Sequence, residues 1–201
     1  CAWRRFRLYA WSSATGRPLS SLRFQDHPRH LQTIRRAALQ AADPADAVRG
    51  HLRLGRSALH AGPHRIPLEP SARIWLVGLG KAAPAMSGAA AGVLGDRLAA
   101  GVATAARHGP QGKADPAAAD PPDRVQFIPA EHPIPGPGSL RAGRAAAGLL
   151  SAAREGDLVL VLVSGGGSAL MELPLPGIGL QDLRSLNRQL LASGADIAEL
   201  N

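Results

Sequence analysis

The sequence predicts an α/β fold, specifically a three-layer, mostly parallel, Rossmann-like sheet that is incomplete at the C-terminus. Short apolar runs alternate with segments of helical spacing from residue 27 onward, as in repeated βα units. The run Leu158–Val163 contains only Leu and Val, which is typical of a central strand buried on both faces. Aromatic residues make up only 3% of the chain, which suits helices that pack closely on a sheet through small residues.

The first half of the chain is predicted to contain three helices and one strand. Helical spacing begins at His27, and a second helical segment opened by Asp43 places three apolar residues on one face: Val48, Leu52 and Leu59. A strand at Ile74–Val77 and a tight glycine turn then lead into a helix at Ala82–Leu94, which has Pro84 in its first turn.

The second half is predicted to supply the remaining strands of the sheet and two further helices. We expect strands at Gly101–Ala106 and Val125–Ile128, separated by a long surface loop, Gly109–Asp123. Ser139 is a candidate cap for a helix that reaches Ala153. The last predicted helix, residues 180–192, is amphipathic, with three leucines facing inward: Leu183, Leu186 and Leu190.

The net charge of +8 is concentrated at the N-terminal end. Residues 1–36 carry eight of the 23 basic residues and one of the 15 acidic residues, which leaves a net charge of +1 on the rest. We interpret residues 1–26, which hold five of the seven aromatic residues, as a basic segment that is unstructured or non-native. A nucleic-acid or membrane-surface arm is the alternative. Residues 27–201 then form a partial α/β domain without a basic face.

Cysteine usage and hydropathy limit the compartment and the partners. The single cysteine, at position 1, excludes a disulfide framework, and no Cys/His cluster has the spacing of a zinc site. We therefore expect a reducing cytoplasm. Since no apolar run approaches the length of about 20 residues that a membrane-spanning helix needs, we expect neither a membrane nor a nucleic-acid partner.

The first candidate site is the turn after the Ile74–Val77 strand, where Gly80 and Lys81 precede a helix. Only two of the 23 basic residues are lysines, so a lysine kept at this turn favours a point-charge contact to phosphate. Backbone N–H groups at a helix N-terminus can add to such a site.

The same turn allows a second interpretation. Gly78, Gly80 and Ala83 fit the loose dinucleotide fingerprint, which keeps an NAD(P)-dependent reductase as the rival hypothesis. The acid expected after the second strand is missing, and Arg107 stands there instead. A Walker A loop is excluded, because Trp75 occupies the position of its first glycine.

The second candidate site is the loop directly after the Leu158–Val163 strand: Ser164, Gly165, Gly166, Gly167 and Ser168. Three consecutive glycines are costly in chain entropy, so their position at the end of a strand favours close approach of the backbone to a ligand. The flanking hydroxyl groups add hydrogen-bond donors. We interpret the loop as a cradle for phosphate or a nucleotide, with a tight strand-to-helix turn as the alternative.

His132 is the third candidate, as a general base or a phosphate contact, although the pattern alone favours a loop histidine beside a stiff proline turn. Lys81, His132 and the glycine loop each follow a predicted strand, and the carboxyl ends of parallel strands share one edge of the sheet. A cation and a glycine cradle without a paired nucleophile and base favour phosphoryl transfer. This prediction requires Lys81 and Gly166 to meet at that edge.

Taken in order, four segments resemble the N-terminal domain of the MOFRL-associated glycerate 2-kinase family: Gly80–Ala83 with Met86, His132–Pro135, Asp157–Leu170 and Leu191–Asn201. The resemblance covers roughly residues 27–201, and its most specific part is the glycine loop with its strand. It implies a kinase that uses ATP and Mg²⁺, or another divalent cation, to convert glycerate to 2-phosphoglycerate. Some members are also labelled hydroxypyruvate reductases, so the reductase hypothesis also follows from the resemblance.

The resemblance also implies roles for single residues. It places the family's catalytic lysine at Lys81, which is expected to hold phosphate oxygens during transfer. The glycine loop is then the nucleotide-binding element, and three further residues are candidate contacts to substrate or phosphate: Gly80, His132 and Asn201. The chain departs from the family at Gly136, where an Asp is usual.

The resemblance finally implies that the site is shared with another part of the protein. The C-terminal MOFRL domain, which carries the family's catalytic arginine, lies outside the 201 residues, so we expect these residues alone to be inactive. Glycerate, ATP and that domain are the expected partners. A non-catalytic binding module is the third hypothesis, and homo-oligomerisation is left open.

Overall fold

The computed structural model describes residues 27–108 and 121–194. Residues 1–26, most of the predicted loop after the second strand, and Asn201 lie outside this part of the chain. The described helices and strands follow one another in this order: α1 (His27–Ala41), α2 (Pro44–His51), β1 (Leu52–Leu54), β2 (Ala58–Ala61), β3 (His64–Pro67), β4 (Ile74–Leu79), α3 (Ala83–Leu94), β5 (Leu98–His108), β6 (Val125–His132), α4 (Pro137–Leu150), β7 (Leu158–Val163), α5 (Gly167–Leu170) and α6 (Leu180–Ser193). The chain divides into two compact units, one ending at Asp43 and the other beginning at Pro44.

The second unit is built on a four-stranded parallel sheet in the order β6–β5–β4–β7. On β5, Ala103 packs in one core with Ala90 of α3, whereas Val102 packs in another with Ala142 of α4. Because neighbouring residues of a strand point to opposite faces, α3 and α4 cover opposite sides of the sheet. The predicted three-layer α/β architecture is therefore confirmed.

A small antiparallel sheet, β1–β2–β3, replaces part of the second predicted helix. The helix α2 ends at His51, and Leu52 and Leu59 lie on β1 and β2, although both are buried in the core as expected. A continued helix would have included Gly50 and Gly55, and each interior glycine costs about 1 kcal/mol relative to alanine. Apolar spacing alone did not distinguish the two structures.

The strand β7 is not central, which corrects the prediction from its apolar composition. It pairs with β4 at one end of the described sheet, and β4 takes the central position. One face of β7 packs on the α3 side of the core, but the other face exposes three valines: Val159 (39%), Val161 (50%) and Val163 (65%). An apolar strand indicates that both faces suit burial, but it does not determine which neighbours cover them.

Two helix predictions are wrong in detail. Leu186 of α6, expected to face inward, is 55% exposed. The helix α4 begins at Pro137, so Ser139 lies inside its first turn and is not the cap. The buried Ser139 hydroxyl accepts a hydrogen bond from the N–H of Gly136 (3.0 Å), which satisfies a donor at the start of the helix.

Asp157 joins the amino ends of β4 and β7 and is expected to make stability depend on acid pH. Its carboxylate accepts hydrogen bonds from the Trp75 indole N–H (2.9 Å) and from the N–H groups of Arg73 (2.9 Å) and Arg154 (3.0 Å). These bonds lower the pKa of Asp157 from 3.8 to about 2, and the bond from Trp75 has the largest effect. Because the folded-state pKa is depressed, the stabilisation is complete above about pH 4 and is lost as the pH falls towards 2.

The measurement is the urea midpoint of unfolding between pH 6 and about pH 2. We expect the wild-type midpoint to fall more steeply than that of Asp157→Asn over the lowest two pH units. Parallel curves for the two proteins would show that these hydrogen bonds do not couple to folding.

Ser87 of α3 is a buried hydroxyl whose removal should stabilise the fold. It is fully buried, and its Oγ has no hydrogen-bond partner among the described residues. An unpaired buried hydroxyl costs roughly 1–3 kcal/mol, so we expect Ser87→Ala to increase the free energy of unfolding by about 1 kcal/mol. Calorimetry would show this as a higher Tm. Ser139→Ala, which removes a bonded hydroxyl, is the control and should lower the Tm; a lower Tm for Ser87→Ala would contradict the prediction.

Candidate functional site

The two predicted turns meet where the strand order of the sheet reverses. From β4 the chain proceeds outward to β5 and β6 on one side, and then returns to place β7 on the other side of β4. In open parallel sheets, ligands bind at the carboxyl ends of the strands beside such a reversal. The turn after β4 carries Gly80 and Lys81, and the turn after β7 carries residues 164–168.

Four hydrogen bonds join these two turns. The N–H of Ser164 donates to the carbonyl of Leu79 (2.9 Å), and the N–H of Lys81 donates to the carbonyl of Gly165 (3.0 Å). The Ser164 hydroxyl accepts from the N–H of Ala82 (3.1 Å) and donates to the Leu79 carbonyl (3.3 Å). The amides of Lys81 and Ala82 are therefore engaged within the protein, contrary to the expectation that this turn offers them to an anion.

Gly80 shapes the turn, and Thr104 supports it from β5. Gly80 has φ +108°, and a Cβ at this position would lie 2.3 Å from the carbonyl oxygen of Ser164. The buried Thr104 hydroxyl accepts from the N–H of Gly80 (3.1 Å) and donates to its carbonyl (3.3 Å). Sequence reasoning missed Thr104, although it is a polar residue inside an otherwise apolar predicted strand.

Lys81, His132 and Gly166 lie together at this edge. Gly166 has φ +86°, and a Cβ there would lie 2.8 Å from Nε2 of His132 and 3.3 Å from Cε of Lys81. His132 is the last residue of β6 and is half-buried, while the Lys81 side chain is exposed. The meeting of Lys81 and Gly166 that phosphoryl transfer requires is thus present, and the chemical roles of these residues stay predictions.

The glycine loop offers a row of backbone donors. Within the described residues, the N–H groups of Gly165, Gly166, Gly167 and Ser168 have no hydrogen-bond acceptor. Successive amides in a turn with a left-handed residue form a concave anion-binding nest. Ser168 is exposed, whereas the Ser164 hydroxyl is bonded to the turn after β4 and serves to hold the two turns together.

Glu131 stabilises the segment that carries His132. Its carboxylate accepts the N–H of Gly138 in the first turn of α4 (2.9 Å), as a capping side chain does. A Cβ on Gly136 would lie 2.3 Å from the same carboxylate oxygen. Glu131 therefore occupies the space of a side chain at position 136, which accounts for the glycine there in structural terms.

Arg184 of α6 reaches the same segment from the other direction. Its Nε donates to the carbonyl of Pro135 (2.9 Å), and its side chain is half-buried. No pattern in the sequence identified Arg184, because it acts on a segment 49 residues away that only the fold brings close.

The described residues contain no group of three or more His, Cys, Asp or Glu side chains that could hold a metal ion. Of the helices in the described ranges, none has both the length and the apolarity to cross a membrane.

A family model described as "Domain of unknown function (DUF4147)" matches residues 30–201. The chain belongs to the DUF4147 family. Two relatives show how other proteins with this domain are named. A "Glycerate 2-kinase" from Pyrococcus horikoshii is 36% identical over 165 residues, which is 82% of this chain and 34% of that protein. A "Putative hydroxypyruvate reductase" from Agrobacterium vitis is 34% identical over 171 residues, 85% of this chain and 34% of that protein.

The DUF4147 chain also resembles a solved structure. The crystal structure of the PH0495 protein from Pyrococcus horikoshii matches with a TM-score of 0.67 and 32% sequence identity, covering 89% of this chain and 37% of that chain. The chain spans about a third of the length of the relatives it matches.

Proposed function

We propose that this DUF4147 chain is part of a kinase that transfers a phosphoryl group from ATP to the 2-hydroxyl of glycerate. The observation that carries the proposal is the convergence of the Lys81 side chain, His132 and the amides of residues 165–168 at the reversal point of the sheet. The name of the Pyrococcus horikoshii relative, "Glycerate 2-kinase", supports the same substrate.

The arrangement suits a polyphosphate for physical reasons. Four amides that have no acceptor among the described residues and one ammonium group can together neutralise phosphate oxygens. The missing side chain at Gly166 lets Lys81 and His132 lie close to the loop, because a Cβ there would be 2.8 Å from the His132 ring. ATP, when bound, would supply the phosphoryl group. Lys81 would stabilise charge on the transferred group, and His132 would orient the acceptor hydroxyl and hold its proton.

The proposal includes a divalent metal ion only as a partner of the bound nucleotide. The described residues offer no cluster of metal ligands, so they do not fit a protein-built Mg²⁺ site. In kinases Mg²⁺ is held largely by phosphate oxygens and water, with one or two protein carboxylates. We assign no step of transfer to it.

The rest of the site is proposed to come from polypeptide outside these residues. The matched relatives are about three times as long as the aligned segment, and the resemblance places a catalytic arginine in their C-terminal domain. The exposed valine face of β7 next to the glycine loop is consistent with an additional layer. Residues 1–201 alone should then show no kinase activity.

The reductase hypothesis has less support. A dinucleotide would place its pyrophosphate on the turn after β4, but Ser164 and Gly165 already bond the amides of Lys81 and Ala82 there, and Thr104 bonds that of Gly80. The matching relative's name carries the word "Putative".

The deciding experiment uses the full natural protein with two assays. In the first, D-glycerate and MgATP are supplied and the product is identified by ³¹P NMR; we expect 2-phosphoglycerate. In the second, hydroxypyruvate and NADH or NADPH are supplied and absorbance at 340 nm is followed; we expect no change. Nucleotide oxidation without ATP-dependent phosphorylation would overturn the proposal.

A further inference from the structure

Arg184 is a half-buried cation that has no carboxylate partner in the described part of the chain. Its Nε is bonded to the carbonyl of Pro135 (2.9 Å), and no described carboxylate lies within ion-pair distance of its guanidinium. Its two Nη groups have no hydrogen-bond acceptor among the described residues, so they are available to an anion.

The neighbouring acids are already engaged. Asp182, on the same helix, accepts the N–H of Gly179 at the start of α6 (2.8 Å). Glu131, at the end of β6, accepts the N–H of Gly138 at the start of α4 (2.9 Å). Both carboxylates serve helix termini, and neither forms an ion pair with Arg184.

The position of Arg184 connects it to the site of the proposed function. Pro135 is three residues after His132, and three residues span at most about 11 Å. The imidazole of His132 lies against Gly166, which in turn lies beside Lys81. Arg184 is thus tied to the segment that follows His132, and His132 lies at the edge where Lys81 and the glycine loop meet.

We propose that Arg184 binds the carboxylate of the acceptor hydroxy acid. With Nε fixed on Pro135, its two Nη groups form the planar fork that pairs with a carboxylate through two hydrogen bonds. Lys81 and the loop amides then hold phosphate, and Arg184 selects acceptors that carry an acid group next to the hydroxyl. This inference rests on the proposed kinase function and adds a specificity-determining residue to it.

The test compares Arg184→Met and Arg184→Lys with wild type in the full natural protein. Arg188→Met is the matched control, since Arg188 lies one turn further along α6 and is exposed. We expect Arg184→Met to raise the KM for D-glycerate about 100-fold, as when one partner of a buried charge pair is removed. The KM for ATP should change less than about threefold, and Arg184→Lys should recover part of the loss.

Inhibition provides a readout that a purely structural role would not change. D-Lactate keeps the carboxylate and the 2-hydroxyl, whereas 1,2-propanediol lacks the carboxylate. Wild type and Arg188→Met should prefer lactate as an inhibitor competitive with glycerate, and Arg184→Met should lose that preference.

Two results would overturn the inference while the kinase proposal survives. One is an unchanged KM for glycerate in Arg184→Met. The other is an equal rise in the KM values for ATP and glycerate, accompanied by a lower urea midpoint. That second result would mean that Arg184 only ties α6 to the Pro135 segment. A wild-type protein that phosphorylates no hydroxy acid would instead refute the proposed function, and the inference with it.

Discussion

Lys81→Ala is expected to reduce kcat for ATP-dependent phosphorylation of glycerate by about a thousandfold or more in the full natural protein. The Lys81 side chain lies beside Gly166 in the glycine loop, where a Cβ on Gly166 would be 3.3 Å from its Cε. We propose that charge on the transferred phosphoryl group develops there. Since phosphoryl transfer depends mainly on positioning and charge neutralisation, losing the cation removes stabilisation that the loop amides cannot replace. Steady-state kinetics with varied ATP and glycerate would measure the effect.

Two further variants make this test specific. Lys81→Arg should recover little activity, because the ammonium is a compact point charge whereas the guanidinium is a wide planar fork with a different hydrogen-bond geometry. Lys113→Ala removes the only other lysine of residues 1–201 and should leave kcat unchanged. A Lys81→Ala protein that kept more than about a tenth of the wild-type kcat would remove Lys81 from the catalytic machinery.

Gly80→Ala is expected to disrupt both the fold near the site and the activity. The new Cβ would lie 2.3 Å from the backbone carbonyl oxygen of Ser164, and φ +108° is strained for any L residue with a side chain. Backbone atoms cannot yield as a flexible side chain can, so the turns after β4 and β7 should separate. We expect the free energy of unfolding to fall by roughly 3 kcal/mol and activity to fall at least about 100-fold.

The control is Gly165→Ala in the adjoining loop. A Cβ at Gly165 would meet nothing within 4 Å, so the urea midpoint of the Gly165→Ala protein should stay near that of wild type. If Gly80→Ala is too unstable to purify, its Tm in cell lysate relative to Gly165→Ala decides the matter. Equal midpoints for the two variants would show that the close approach of the two turns does not matter for stability.

The local sequence pattern predicted which residues lie at the site better than it predicted what each residue contacts there. The glycine loop and the turn after β4 were recognisable because glycine runs at strand ends and a rare lysine are visible in the sequence. Ser164 was expected to hold phosphate, but its hydroxyl bonds Ala82 and Leu79. Thr104 and Arg184 were not identified, because the atoms that they contact are 24 and 49 residues away in the chain.

By itself, the sequence determined that the chain alternates strands and helices, that its strands are apolar enough to form a sheet, and that a lysine and a glycine run follow two of those strands. Hydrophobic periodicity and turn chemistry are local properties, so they can be read without the fold. The tertiary structure alone decided that β7 lies at one end of the described sheet beside β4, and that the β4 turn, the glycine loop and His132 converge there. Strand order and side-chain contacts depend on the free energy of packing among distant segments, which no local pattern contains.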